Sequence, residues 1–175
     1  MALLVVGYPT LEAADYRRIQ AFRADHDPQF RIVAPHFTLV FPVENVSEET
    51  LIAHVRRIAK PHPKIGFALR SAKLMPQMPG EESAPIFLVP DEGHGTLVQL
   101  HAQLYSGPLA EHLRHDIPFV PHITIGRNTD RATAQRLVAE LNREELNMPG
   151  AIARLTVVRF VNGLVTNLVE APLLG

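Results

Sequence analysis

Short apolar runs alternate with longer amphipathic segments along this chain. The short runs are rich in β-branched and aromatic residues and are too short for helices, so they predict strands. In the longer segments apolar residues recur every three or four positions, which predicts helices that bury one face. The predicted strands cover residues 2–6, 36–41, 65–69, 86–89 and 122–127, and the predicted helices cover 11–22, 47–59, 97–104 and 129–141.

Two further regions carry clear turn signals. Residues 151–161 and 164–170 flank Asn162-Gly163, a pair that favours a two-residue hairpin turn, so two antiparallel strands are predicted there. Between residues 75 and 85, prolines and a glycine break every periodicity, which predicts a connector or a mobile loop. The sequence leaves open whether this connector closes over a ligand.

The two halves of the chain repeat one another at low identity. A single offset places His36 on His122 and Thr38 on Thr124, and it also aligns the helices that follow them. One repetition predicts two lobes related by a pseudo-twofold axis, since a solenoid needs about three repeats. We therefore expect an α+β fold of two pseudo-symmetric αβ lobes, with antiparallel sheets facing a central cleft. Residues 1–175 would form a single domain, whose lobes at roughly 1–72 and 85–170 are not independent.

Composition and charge narrow the possible functions. The chain has 175 residues, 17 basic and 18 acidic, so it has no broad positive field and any RNA contact must be local. It has no cysteine, which excludes disulfides, zinc-thiolate sites and cysteine nucleophiles. The apolar run at residues 2–6 is too short for a signal-peptide core and lacks a basic leader, and no membrane span is evident. The sequence therefore predicts a cytoplasmic protein without membrane association.

The repeated residues suit phosphoryl chemistry. Positions i and i+2 of a strand share a face, so His36 and Thr38 point one way, as do His122 and Thr124. Two histidines can supply the acid and the base for cleavage of a phosphodiester near neutral pH. The threonine hydroxyls can bind the phosphate oxygens. This scheme requires no metal or other cofactor, and it leaves open which histidine is the acid.

Four residues near these motifs are weaker, accessory candidates. Arg127 could reach a phosphate, but five residues beyond His122 it should face the opposite side of a regular strand. The aromatic residues Tyr8, Phe41 and Phe119 are close to the motifs in sequence and could stack on a nucleobase.

Other histidines give no comparable pattern. The cluster Glu111, His112, His115 and Asp116 matches no zinc motif, so no metal site is predicted. His54 and His101 lie in predicted helices without partners at a meaningful spacing, and solvent exposure or helix capping is expected for them. Neither Gly-x-Ser-x-Gly nor a P-loop motif occurs.

The segments Pro-His-Phe-Thr-Leu and Pro-His-Ile-Thr-Ile together resemble the doubled His-x-Thr-hydrophobic signature of the two-histidine phosphoesterases. That family includes 2′-5′ RNA ligase-like proteins and cyclic phosphodiesterases. The resemblance covers nearly the whole chain and implies two αβ lobes around a cleft. It also implies that His36, Thr38, His122 and Thr124 bind and act on phosphate without a cofactor.

The leading hypothesis is thus a phosphodiesterase that opens the 2′,3′-cyclic phosphate of a nucleotide or an RNA end to a 2′-phosphate. Joining and cleaving 2′-5′ linkages would be the same chemistry in either direction. A second hypothesis keeps the site and changes the substrate to another small nucleotide-derived phosphodiester. A third is a noncatalytic module that binds RNA ends or nucleotides. None of them predicts a stable protein partner.

Overall fold

One antiparallel sheet dominates the computed structural model, which describes residues 1–77 and 80–175. Its strands are β1 (Ala2–Gly7), β2 (Thr10–Leu11), β3 (Phe37–Val43), β4 (Ile65–Leu74), β5 (Ala84–Glu92), β6 (Ile123–Asn128), β7 (Met148–Ile152), β8 (Arg154–Val161) and β9 (Leu164–Pro172). They are hydrogen-bonded in the order β2-β7-β4-β5-β6-β3-β1-β8-β9. Strands from the two ends of the chain therefore lie side by side.

Four α-helices cover one side of the described sheet: α1 (Ala13–His26), α2 (Glu48–Ala59), α3 (His94–Leu104) and α4 (Arg131–Arg143). Two of the helices begin at a side-chain cap, since the side chain of Ser47 accepts from the N–H of Thr50 and that of Asp130 accepts from the first turn of α4. No helix in the described part of the chain is long and apolar enough to cross a membrane.

The sheet is arranged symmetrically about its middle. β3 and β6 pair only where Phe37 lies opposite Ile123, and these two residues are equivalent in the internal repeat. A pseudo-twofold axis between them relates the half-sheet β3-β1-β8-β9 to the half-sheet β6-β5-β4-β7. The predicted α+β fold of two pseudo-symmetric halves with antiparallel strands is confirmed. That residues 1–175 fold as one unit with dependent lobes stays a prediction.

The helices pack on one face of the sheet and leave the other face free at its centre. α1 contacts β6, α4 contacts β4, α3 contacts β3, and α2 contacts β8 and β9. Phe37, Leu39, Ile123 and Ile125 point toward the helices and are almost fully buried. Because side chains alternate along a strand, the residues between them point toward the free face. That free face forms the cleft.

One predicted strand needs correction, and one short helix was missed. The segment predicted as one strand over 151–161 is two strands, β7 and β8, separated at Ala153. A 3₁₀ helix at Gly107–His112 was not predicted. The predicted hairpin turn is present, with φ of 50° at Asn162 and 79° at Gly163. Residues 78 and 79 of the 75–85 connector lie outside the described residues.

His54 is buried rather than exposed. Its Nε2 donates to the carbonyl oxygen of Leu104 at 2.8 Å, and its Nδ1 lies 3.2 Å from the guanidinium of Arg57. The ring thereby ties α2 to the end of α3, so the predicted exposure of His54 is wrong, while its hydrogen bond to the last carbonyl of α3 is a capping contact. Its role is structural.

Candidate active site

Two histidines flank the centre of the sheet on the cleft side. His36 directly precedes β3 and His122 directly precedes β6, and the adjoining residues Phe37 and Ile123 lie opposite one another. In an antiparallel pair, one step back along one strand matches one step forward along the other. Because Phe37 lies opposite Ile123, His36 lies beside Thr124, and Thr38 lies beside His122. The structure thus brings together the four residues of the doubled motif on the face turned away from the helices.

The same backbone contact holds both imidazole rings. Nδ1 of His36 lies 2.8 Å from the carbonyl oxygen of Ala34, and Nδ1 of His122 lies 2.6 Å from that of Val120. A carbonyl oxygen can only accept a hydrogen bond, so each Nδ1 is the protonated nitrogen. Each Nε2 therefore keeps its lone pair in the neutral ring. The sequence signal for this arrangement is the proline that precedes each histidine.

Both rings favour the neutral form. Burial lowers the pKa of His36, and the nearby charge of Arg23 lowers it further, against the raising effect of the hydrogen bond to Ala34. Burial lowers the pKa of His122 to about 4, and the charges of His36 and Arg127 add to this shift. Because the charge of a protonated His36 lowers the pKa of His122, protonation of His36 disfavours protonation of His122.

The aromatic neighbours of the two histidines differ. The ring of Phe87, on β5, stacks on His122 with a centroid separation of 3.4 Å and an interplanar angle of 10°. Within residues 1–77 and 80–175, the aromatic neighbour of His36 is the ring of Tyr8, which lies edge-on at 6.1 Å and 67°. Sequence reasoning missed Phe87, because its position depends on the register between β5 and β6. Tyr8, predicted as an accessory aromatic, does lie beside the site.

A β-bulge in β6 decides where Arg127 lies. Thr124 and Gly126 oppose successive residues of β5, so Ile125 is an extra residue in the ladder. A Cβ added at Gly126 would meet His26 of α1 at 3.0 Å, and Ile125 also faces α1, so both residues point toward the helices. Alternation then returns Arg127 to the face of Thr124.

The prediction that Arg127 faces away from His122 is therefore wrong, because it assumed a regular strand. The charge of Arg127 reaches the site, where it helps to lower the pKa of His122. Its guanidinium donates to the carboxylate of Glu81, in the connector, at 2.8 Å. Arg127 thus lies near the site but already has an anionic partner.

The matching bulge in β3 places Phe41. Thr38 and Val40 oppose successive residues of β1, so Leu39 is the extra residue. Phe41 is then the structural equivalent of Arg127. Its ring lies edge-on to that of Phe119 at 6.3 Å, so the structure brings these two predicted aromatics together.

The side chains of His101 and Tyr105 lie between β3 and β6 beyond the single place where these strands pair. Nδ1 of His101 donates to the carbonyl oxygen of Leu39 at 2.9 Å, and the hydroxyl of Tyr105 accepts from the N–H of Phe41 at 3.0 Å. These groups satisfy the edge of β3 where pairing with β6 has ended. The ring of Phe119 stacks on His101 at 3.7 Å. The predicted exposure of His101 is wrong, and its burial lowers its pKa.

A buried ion pair supports the segment that leads to His36. Arg23 of α1 is 1% exposed and donates to Asp27 at 2.7 Å and to the carbonyl oxygen of Val33 at 2.8 Å. Asp27 in turn accepts from the N–H of Gln29 at 2.9 Å. Sequence reasoning missed this pair, although an arginine and an aspartate four residues apart at the end of a helix were a usable signal.

The acidic and histidine cluster at residues 111–116 takes no part in this arrangement. Asp116 is exposed and pairs with Arg114 at 2.6 Å, and its hydrogen bond to Arg114 lowers the pKa of Asp116 to about 2. Within residues 1–77 and 80–175, no group of three or more His, Asp or Glu side chains is placed to hold a metal ion.

Sequence comparison gives one family and several relatives. The profile of the 2′-5′ RNA ligase superfamily matches residues 10–164. A protein of Geobacillus kaustophilus named "Putative phosphoesterase" is 28% identical over 152 residues, which are 86% of this chain and 83% of that protein. A protein of the same description from Halalkalibacterium halodurans is 33% identical over 110 residues, or 62% of this chain and 60% of that protein.

Structural comparison finds the same fold in solved proteins. Apo LigT of E. coli is 25% identical, with a TM-score of 0.62 over 98% of this chain and 96% of LigT. LigT has also been solved in complex with ATP, and that structure matches with a TM-score of 0.59, at 25% identity, over 98% of this chain and 97% of LigT. TT0787 of Thermus thermophilus is 20% identical, with a TM-score of 0.65 over 99% of this chain and 98% of TT0787, and shows a similar fold.

Proposed function

This chain belongs to the 2′-5′ RNA ligase superfamily, and from that membership we propose that it is a phosphodiesterase that opens 2′,3′-cyclic phosphates to 2′-phosphates. The substrate would be a nucleotide or an RNA end, and the chemistry would use His36 and His122 without a metal. With the 5′-hydroxyl of a second RNA end as the attacking group in place of water, breaking the same bond between phosphorus and O3′ would join the two ends through a 2′-5′ linkage, but hydrolysis is favoured in water. The proposed location is the cytoplasm.

One observation supports this proposal above the others. The two imidazoles lie on neighbouring strands, each with Nδ1 held by the carbonyl of the residue two positions earlier, at 2.8 and 2.6 Å. This leaves Nε2 as the nitrogen of each neutral ring that can accept a proton, and it holds that nitrogen in a fixed orientation. A pair of oriented nitrogens is what general acid and base catalysis requires, because one must remove a proton while the other supplies one.

In the proposed hydrolysis, Nε2 of one histidine removes a proton from water as the water oxygen attacks phosphorus. The bond between phosphorus and O3′ breaks, and the other histidine, protonated at Nε2, donates its proton to O3′. The product carries a 2′-phosphate and a free 3′-hydroxyl. Both rings favour the neutral form in the free protein, and the anionic substrate would raise the pKa of the imidazole nearest to it.

The neighbouring hydroxyls would bind the phosphate itself. The register sets Thr38 beside His122 and Thr124 beside His36, so each hydroxyl can donate to a non-bridging oxygen between the two rings. Arg127 could add a charge on the same side if substrate displaced Glu81 from it. These contacts would stabilise the negative charge that develops on phosphorus during the attack.

The test is product analysis by phosphorus NMR after incubation with nucleoside 2′,3′-cyclic phosphates in excess chelator. We expect a 2′-phosphate as the product, and a loss of about 10²- to 10⁴-fold in kcat for His36→Ala and for His122→Ala. His115→Ala, at an exposed position outside the cleft, is the matched control and should keep the wild-type rate. A wild-type rate in either cleft variant, or a requirement for a metal ion, would refute the mechanism.

A further inference from the structure

A cavity of about 340 Å³ opens beside His36. It borders the candidate active site, because two of its lining residues contact His36: the carbonyl oxygen of Ala34 holds the His36 ring, and the ring of Tyr8 lies edge-on to it. Its volume is within the range usual for small-ligand sites. The lining residues come from the ends of β1 and β9 and from the loop before β3: Tyr8, Ile32, Val33, Ala34, Val165 and Asn167.

The loop residues that line this cavity are held in place by hydrogen bonds from a buried arginine. Arg23 donates to the carbonyl oxygen of Val33 at 2.8 Å and reaches that of Gln29 at 3.4 Å, while its charge is balanced by Asp27 at 2.7 Å. Both charged groups are buried. The cavity is therefore formed before any ligand arrives, and binding there would cost little ordering of the loop.

The pseudo-symmetry shows how the surroundings of His36 and His122 differ. Val6 lies opposite Thr38 just as Phe87 lies opposite Thr124, so the bulges make Val6 and Phe87 equivalent. Phe87 covers the face of His122. Val6 has no aromatic ring, so it cannot stack on His36 in the same way. The two histidines therefore differ in the side chains that surround them.

We propose that the cavity beside His36 is the subsite for the nucleobase of the substrate. Its lining contains no charged side chain, which favours a neutral ring over a further phosphate group. Ile32, Val33 and Val165 supply apolar contacts for a flat heterocycle, and Tyr8, whose ring lies edge-on to His36, also lines the cavity. This inference rests on the proposed function, since it assigns the base of that substrate to one side of the cleft.

One polar contact indicates how the base would be held. The hydroxyl of Tyr8 donates to Oδ1 of Asn167 at 2.9 Å, which fixes the orientation of the amide. The amide nitrogen of Asn167 then remains as the donor. It can bond to an acceptor such as a ring nitrogen or a carbonyl on the edge of the base.

The kinetic test compares nucleoside 2′,3′-cyclic phosphates with the cyclic phosphate of 1-O-methylribose, which has no base. Val165→Trp would fill the cavity, and we expect it to lower the ratio of kcat/KM for the nucleoside substrate to that for the base-free substrate by about tenfold or more. Leu164→Trp is the matched control. Leu164 is 71% exposed and lies outside the cavity, so the ratio should stay at its wild-type value. An unchanged ratio in Val165→Trp would overturn the assignment.

A binding measurement separates this inference from the catalytic proposal. In the wild-type protein, a nucleoside 2′-monophosphate should shift the methyl NMR signals of Ile32, Val33 and Val165, and 1-O-methylribose 2-phosphate should not. Shifts of these methyl groups without any turnover of cyclic phosphates would support the base subsite and refute the catalytic proposal. Turnover without shifts at saturating nucleotide, or no binding at millimolar nucleotide, would refute the base subsite.

Discussion

Replacing His122 with glutamine should make the protein more resistant to acid. The pKa of His122 lies at about 4 in the folded protein, chiefly because of burial, against an ordinary value of 6.5. Below pH 6.5 the unfolded chain therefore binds a proton at this residue that the folded protein does not bind. The stability that the neutral imidazole of His122 contributes is fully present above pH 6.5 and is lost progressively as the pH falls toward 4.

The two pKa values set the size of the effect. With one pKa unit worth about 1.4 kcal/mol, His122 destabilises the wild-type protein at pH 4.5 by about 2 to 3 kcal/mol relative to pH 7.5. Glutamine has no such proton to bind. We therefore expect the loss of unfolding free energy between pH 7.5 and 4.5 to be smaller in His122→Gln by that amount.

Urea unfolding at the two pH values measures this difference directly, since the comparison within each variant cancels any change in its absolute stability. The exposed His115→Gln is the matched control and should lose as much stability as the wild type. A loss in His122→Gln equal to that of the wild type within about 0.5 kcal/mol, the usual effect of a surface substitution, would refute the burial of a neutral imidazole at this position.

Three further predictions follow from the neighbours of the two histidines. Arg23→Met leaves the carboxylate of Asp27 buried without its partner and should lower the unfolding free energy by about 3 to 5 kcal/mol in urea; Arg17→Met, at an exposed position of the same helix, should have little effect. Phe87→Leu opens the covered face of His122 to water, so the pKa of His122 should rise toward 6.5 in an NMR titration of its ring protons, and an unchanged pKa would contradict the assignment of burial as the main cause. Arg127→Gln removes a nearby positive charge and should also raise the pKa of His122. The rise should be smaller than in Phe87→Leu, because the charge of Arg127 is a smaller cause of the shift than burial. The same titration measures this rise, and a lowered pKa of His122 would contradict the prediction.

The sequence predicts most of the elements because their signals are local. The caps at Ser47 and Asp130 and the turn at Asn162-Gly163 each depend on a few neighbouring residues, and all are present. The doubled motif predicts that two histidines meet, since an internal repeat implies a symmetry axis. These inferences need no knowledge of which strands pair.

What the sequence does not predict depends on pairing between distant segments. The bulges at Leu39 and Ile125 exist only relative to the neighbouring strands β1 and β5, and they reverse the faces expected for the residues that follow. The stacking of Phe87 on His122 depends on the same register. The burial of His101 depends on β3 and β6 diverging, so that a side chain from α3 can reach the freed carbonyl of Leu39.

The two halves share their backbone and differ in their side chains, and this difference bears on how a substrate would lie. Equivalent carbonyls hold His36 and His122 in the same tautomer, so neither ring is marked as acid or base by its own hydrogen bond. Only the surroundings distinguish them: a stacked Phe87 on one side, and an open cavity with Tyr8 on the other. If the cavity holds the base, the bound nucleotide has one orientation, and that orientation decides which ring faces water and which faces the leaving oxygen. The acid and the base are then assigned by the substrate and not by the histidines.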